Sequence, residues 1–137
     1  IVATRNFTTF IPVDHTGANV AGVIGVMWSG LLNTDVGKPY VCGNRIVKSV
    51  QAYGTFGASG SVQLQGSNDQ AYTPDAGALA PTWVPLSDRQ GNQLDITVAK
   101  MENVQENPNA VRPSVTAGDG TTTLTVVMIL SGMGGKL

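Results

Sequence analysis

Glycine and proline interrupt this chain so often that no helix of useful length can be drawn through it. No window of about a dozen residues keeps apolar side chains at i, i+3, i+4 and i+7. Short alternating runs bounded by turn residues take their place, at the spacing of an all-β sandwich or barrel. Leu94, Ile96 and Val98 alternate with Asp95, Thr97 and Ala99, and Val62 and Leu64 with Ser61, Gln63 and Gln65. A strand with one dry and one wet face needs this period of two. Arg45 to Tyr53 follows suit, with Ile46, Val50 and Ala52 on one side and Lys48 as the intruder among them. Phe7, Thr9, Ile11 and Val13 mark an N-terminal strand that ends near Pro12.

Two runs are apolar on both sides, Val20 to Trp28 and Thr123 to Leu130. In the second, Leu124, Val126, Met128 and Leu130 form one face, and Val127 and Ile129 turn the other face apolar midway. A central strand covered by a neighbouring element explains this. So does a strand whose outer face meets a partner chain.

Turn chemistry supplies the joints. Gly118-Asp119-Gly120 is expected to be a tight hairpin in which glycine takes positive φ. Gly91-Asn92 is a second turn, and Gly57 to Gly60 a hairpin loop. Loops are expected over residues 29–37 and 66–81, and a short helical turn over 100–106, stopped by Pro108. About eight strands result. The expected fold is one all-β domain over residues 1–137, a two-sheet antiparallel sandwich with jelly-roll order or, failing that, an immunoglobulin-like one. Residues 1–10 would form an N-terminal arm.

Charge narrows the function. Charged residues are 12% of the chain, about half the usual share. The net charge is −1 and the basic residues stand singly from Arg5 to Lys136, so no nucleic-acid partner is expected. No membrane partner is expected either, because the apolar run at 20–28 is about half the length of a spanning helix. No charged-then-apolar leader precedes it, and the chain opens on Ile1, which leaves prior processing open. A weakly charged surface repels its own copies little and so favours assembly.

Catalytic chemistry is hard to assemble. His15 is the sole histidine and sits in the turn-like Val13-Asp14-His15-Thr16-Gly17. Cys42 has no second cysteine or histidine at ligand spacing, and zinc wants about four such ligands. A buried, inert thiol is the simpler reading of it. Asp69, in Gly66-Ser67-Asn68-Asp69, fits an Asx turn better than a calcium loop. No phosphate loop joins a strand to a helix. The chain is expected not to be an enzyme and to hold no catalytic residue, metal or cofactor.

A resemblance then enters, carried by residues 61 to 130. In order come Ser61-Val-Gln-Leu-Gln-Gly-Ser-Asn-Asp69, Trp83-Val-Pro-Leu-Ser-Asp88, Gln90-Gly-Asn92, Asn109-Ala-Val-Arg-Pro-Ser-Val115, Gly118-Asp-Gly120 and Leu124-Thr-Val126. This ordered set resembles small virion proteins of tailed bacteriophages, and among them the capsid cement, or decoration, proteins. Residues 70 to 82 depart from it, being longer than the tight link of many relatives. The resemblance implies a β-rich structural protein on the outer capsid surface of the virion. It would bind the major capsid protein where subunits meet, and pair with itself as a dimer. The contact residues expected on that reading are Phe7 and Phe10 of the arm, Tyr72 of the long loop, and Val127 and Ile129. The same Ser-Asn-Asp…Trp arrangement is similar to discoidin-like sandwiches. That implies the alternative, a carbohydrate-binding or receptor-recognition domain of a phage tail, with Tyr40, Tyr72 and Trp83 as platforms.

Overall fold

The computed structural model describes residues 3–43, 45–69 and 82–132. These contain twelve strands and no helix. Five long strands carry the architecture: β3 (Val23–Leu32), β6 (Arg45–Thr55), β7 (Ser61–Ser67), β11 (Ala110–Ala117) and β12 (Thr123–Gly132). The short ones are β1 (Thr4–Arg5), β2 (Phe7–Phe10), β4 (Val36–Gly37), β5 (Tyr40–Val41), β8 (Val84–Pro85), β9 (Asp95–Ile96) and β10 (Lys100–Asn103).

They form two packed sheets. The five-stranded sheet runs β10-β6-β12-β3-β2, antiparallel throughout. The seven-stranded sheet runs β1-β4-β11-β7-β8, with β5 also on β11 and β9 also on β7. Its β1–β4 pair is parallel. The alternation read in the sequence is the alternation observed. Leu124, Val126, Met128 and Leu130 of β12 face inward with Val50 and Ala52 of β6 and Val26 and Trp28 of β3. Val62, Leu64, Val111 and Val115 face them from the other sheet. Trp28 is fully buried, and its indole N–H donates to the carbonyl of Lys38 at 2.9 Å, the partner a buried indole requires.

Several joints differ from expectation, each for a structural reason. The segment 29–37 is not one loop: β3 continues through Ser29-Gly30 to Leu32. Those two residues form a bulge, with the register against β12 shifting between Leu124 and Val126 and Gly30 at φ +69°. Residues 100–103 are an edge strand and no helical turn, because β6 offers an unpaired edge at Ser49 to Ala52 that β10 fills. Neither 57–60 nor 117–120 is a hairpin. Each joins strands in opposite sheets, so the flanking strands never pair, and Gly118 and Gly120 do not take positive φ. The Leu94–Val98 strand shrinks to two residues of ladder, and Val98 is 62% exposed. Gly91 does turn the chain as expected, at φ +86°, with Ser87 and Gln93 bridged across it.

The two corners are clipped together. Asp119 accepts hydrogen bonds from Ala58 N, Thr121 N and Thr121 Oγ1, and Thr122 Oγ1 donates to the carbonyl of Phe56. Hydrogen bonding, led by the Thr121 hydroxyl, pulls the Asp119 carboxyl down to about 2.

Candidate functional site

The outward sides of the two sheets are chemically opposite. On the seven-stranded sheet the outward side chains are polar and satisfy one another. The Arg112 guanidinium lies 4.6 Å above the Trp83 ring and donates to Gln65, which donates to Gln63, which donates to Asp95, itself also bonded by Gln93. Such a chain leaves few bare groups for a partner to claim.

The five-stranded sheet presents the reverse. Register fixes which residues share its outward side. One row across the strands is Thr8, Met27, Val127, Gln51 and Met101. The next is Phe10, Gly25, Ile129, Ser49 and Asn103. Val23, Ser131 and Val47 follow on one side, Thr125 and Tyr53 on the other, then Leu32, Thr123 and Thr55. No Asp, Glu, Lys or Arg stands in these rows. Met101 is 62% exposed, Val47 52%, Tyr53 40% and Phe10 39%. The face is uncharged, with Met27, Val127, Ile129 and Phe10 at its centre and Thr, Ser, Gln and Asn side chains among them, which makes it the candidate contact surface.

Local sequence explains how Phe10 comes to lie there. Gly25 stands beside it in the register, and a β-carbon at Gly25 would sit only 2.1 Å from the Phe10 ring. The missing side chain is the space in which the aromatic ring lies on the sheet.

Of the contact residues nominated from sequence, this face brings together Phe10, Val127 and Ile129. Phe7 is on the opposite side of its strand, edge-on to Trp28 at 6.1 Å and to Tyr40 at 5.4 Å, and packs against the core. Tyr72 and most of the long loop lie outside the described residues. Met27, Met101, Tyr53 and Val47 belong to the face and were not picked out by sequence reasoning. The signal for the last two is parity, since Val47 and Tyr53 alternate against Ile46, Val50 and Ala52. The sugar platforms fare differently: Tyr40 is packed on Phe7, and Trp83 is covered by Arg112.

The groups weighed for chemistry are dispersed. His15 is exposed in its turn. Cys42 is buried, and burial pushes its thiol up to about 11, which keeps it protonated. Asp69 donates its backbone N–H to the Ser67 hydroxyl at 3.2 Å. Lys48 is 2% exposed, with its ammonium donating to Asn107 Oδ1 at 2.7 Å and to the Ile46 carbonyl at 3.3 Å. Burial is the main cause that lowers its pKa below 10.5. Among the described residues no group of three or more His, Cys, Asp or Glu could hold a metal ion.

No protein-family model matches the chain, and no curated protein does. Solved structures do resemble it. One is the crystal structure of the SPBc2 prophage-derived protein YomS, similar at a TM-score of 0.55 and 11% identity over 81% of this chain and 96% of that one. At that identity the likeness shows a shared fold alone. Another is Peruvianin-I, a cysteine peptidase from Thevetia peruviana latex, at a TM-score of 0.42 and 13% identity over 92% of this chain and 61% of that one. A score that low carries no argument about either fold or chemistry.

Proposed function

We propose that this chain is a capsid cement protein of a tailed bacteriophage, acting by binding alone and catalysing nothing. The observation that carries the reading is the outward face of the five-stranded sheet, apolar at its centre and uncharged across its rows. It is the surface laid on the assembled shell, with Phe10, Val127 and Ile129 at its middle. A protein that binds only the closed shell stabilises it by mass action, because opening the shell must first break the added contact. The partner is the major capsid protein where its subunits meet on the virion exterior. Copies related by a local two-fold would add avidity there.

Two further observations support the reading. YomS is a prophage-derived protein, and the likeness of fold covers 96% of its length. The strand order is also compatible with a jelly roll. The order β3-β12-β6-β10 stands against β4/β5-β11-β7-β8/β9, and from β3 onward the chain crosses between the sheets at β3–β4, β5–β6, β6–β7, β9–β10, β10–β11 and β11–β12.

The test is co-sedimentation with mature shells lacking the protein, beside the double variant Val127→Lys, Ile129→Lys. Both positions point outward, and circular dichroism and the melting temperature of the free variant verify that it folds. Wild type is expected to bind saturably and raise the shell melting temperature, and the variant to lose both effects. A variant that decorates shells as wild type does would refute the assignment of this face. Absence of wild-type binding, with selective binding to glycans, would refute the cement reading itself.

A further inference from the structure

At one end of the uncharged face the rows give way to an arginine. Beyond Val47 and Ser131, the next register pair is Arg45 with Gly132, where β12 shifts register against β6. Arg45 lines a cleft of about 250 Å³ whose walls are mainly apolar, from Ile11, Val20, Ala21, Val23 and Ile24, with Asn19 as the polar exception. Its Nε is buried and has no hydrogen-bond partner. By contrast, Arg5 pairs with Asp35 at 2.6 Å and Lys100 with Glu102 at 3.4 Å. Asp14, in the loop that precedes the cleft walls, is turned away into its own turn. It accepts from Thr16 N, Thr16 Oγ1 and Ala18 N.

A buried N–H left without an acceptor costs the free protein stability. A guanidinium does not lose its charge under such conditions, so it cannot escape by deprotonation. The cost is recovered when a carboxylate enters, since a carboxylate matches the guanidinium fork and the local charge. The apolar walls then cover whatever flanks that carboxylate.

We infer that the Arg45 cleft receives an Asp or Glu side chain of the protein on which the face docks, with an apolar neighbour of that residue against Ile11, Val20 and Ile24. This rests on the reading of the face as a contact surface and adds its register: one acid, placed at the Val23–Val47 end. The charge pattern argues for a protein acid. A face uncharged along its rows and cationic at one end is complementary to an apolar surface with a single acid at its rim.

The experiment compares wild type with Arg45→Met, Arg45→Gln and Arg45→Lys in two measurements, the melting temperature of the free protein and affinity for shells. An arginine that braces the fold and one that waits for a partner separate here. Arg45→Met is expected to leave the free melting temperature unchanged or raised, and to weaken shell binding about thirtyfold or more. Arg45→Lys, lacking the fork, should recover only part of that loss. Unchanged shell affinity in Arg45→Met, or a fall in free stability that matches the loss of binding, overturns the inference.

The Arg45 Nε–H resonance supplies an independent readout with three probes: N-acetyl-Leu-Glu-Leu-amide blocked at both ends, N-acetyl-Leu-Leu with a free carboxyl end, and decanoate. A shift with the blocked peptide supports the inference even where shells fail to bind, in which case only the cement reading falls. A shift confined to the free carboxyl end or to decanoate overturns it in favour of a chain terminus or a lipid. No shift with any probe, together with no shell binding, overturns both.

Discussion

Replacing Gly25 with alanine tests the construction of the uncharged face from within. The new β-carbon would meet Phe10 Cζ at 2.1 Å, Cε2 at 2.4 Å and Cε1 at 2.5 Å. Ordinary carbon contacts begin near 3.5 Å, so the ring must move by more than about 1 Å. Backbone on the same strand pair cannot give, because Gly25 is held between β2 and β12. Phe10 is 39% exposed and swings outward instead. A phenylalanine with that exposure covers roughly 100 Å² of its surface, worth at most about 2.5 kcal/mol at 25 cal/mol per Å². Alanine returns about 0.5–1 kcal/mol of backbone entropy. The net loss is about 1–2 kcal/mol, a fall of roughly 3–8 °C in melting temperature for a domain this size. Differential scanning calorimetry on Gly25→Ala, Phe10→Ala and the double variant closes the cycle. Removing the ring removes the clash, so Gly25→Ala should cost nothing, or stabilise slightly, in the Phe10→Ala background. An equal cost in both backgrounds would mean that the glycine answers to backbone geometry, and the account of Phe10 would be wrong.

Two other perturbations have definite signs. Lys48→Met should raise stability by about 1 kcal/mol near neutral pH, since an apolar chain of similar length fills the site without burying a charge. Because burial lowers the Lys48 pKa below 10.5, the unfolded chain binds the extra proton as pH climbs toward 10.5, and wild-type stability rises there. The advantage of Lys48→Met in urea melts should therefore shrink between neutral pH and about pH 10, and a constant gap would contradict it. Asp119→Asn attacks the clip between the two corners. The Asp119 carboxyl titrates at about 2 in the folded chain against an ordinary 3.8. Its contribution is thus complete above pH 4 and disappears as pH falls toward 2. The variant should melt lower at pH 7 and show a shallower decline below pH 4.

The long strands were legible because each buries one face, and burial imposes a period of two on the sequence. Leu124 to Leu130 and Val62 to Leu64 state their sheet face outright. What pattern did not carry was pairing. The turns at 57–60 and 117–120 have the glycines of hairpins, yet local turn chemistry is indifferent to whether the next strand joins the same sheet or crosses to the other. Met101-Glu102-Asn103 has no apolar alternation because an edge strand is recruited by a neighbour's free backbone rather than by its own side chains. The site shows the same division. Val127 and Ile129 were visible as an apolar interruption on a polar side. Phe7 and Phe10 are three residues apart, an odd spacing that puts them on opposite faces of a strand, and only Phe10 is on the outward one. Arg45 gave no signal, since its isolation depends on how three strand ends and a loop converge.

The size of the face limits how such a protein can work. Five strands about 4.8 Å apart, with the outer two only four residues long, give a contact of roughly 500 Å². Stable complexes bury nearer 800 Å² per partner. A single copy held by this face alone is therefore a weak binder, and the missing affinity has to come from elsewhere: the Arg45 pairing, a second copy, or the sheer number of equivalent sites on a shell. On the cement reading this is no defect. Stabilisation by binding grows with the ratio of free protein to dissociation constant at every site, so a modest contact repeated over a closed surface resists opening at many points at once. It follows that occupancy in sedimentation should rise gradually with free protein and fill the shell only when protein is in excess over its sites. A titration that breaks sharply at the stoichiometric point would mean that each contact is tight, and that the binding surface extends beyond this sheet.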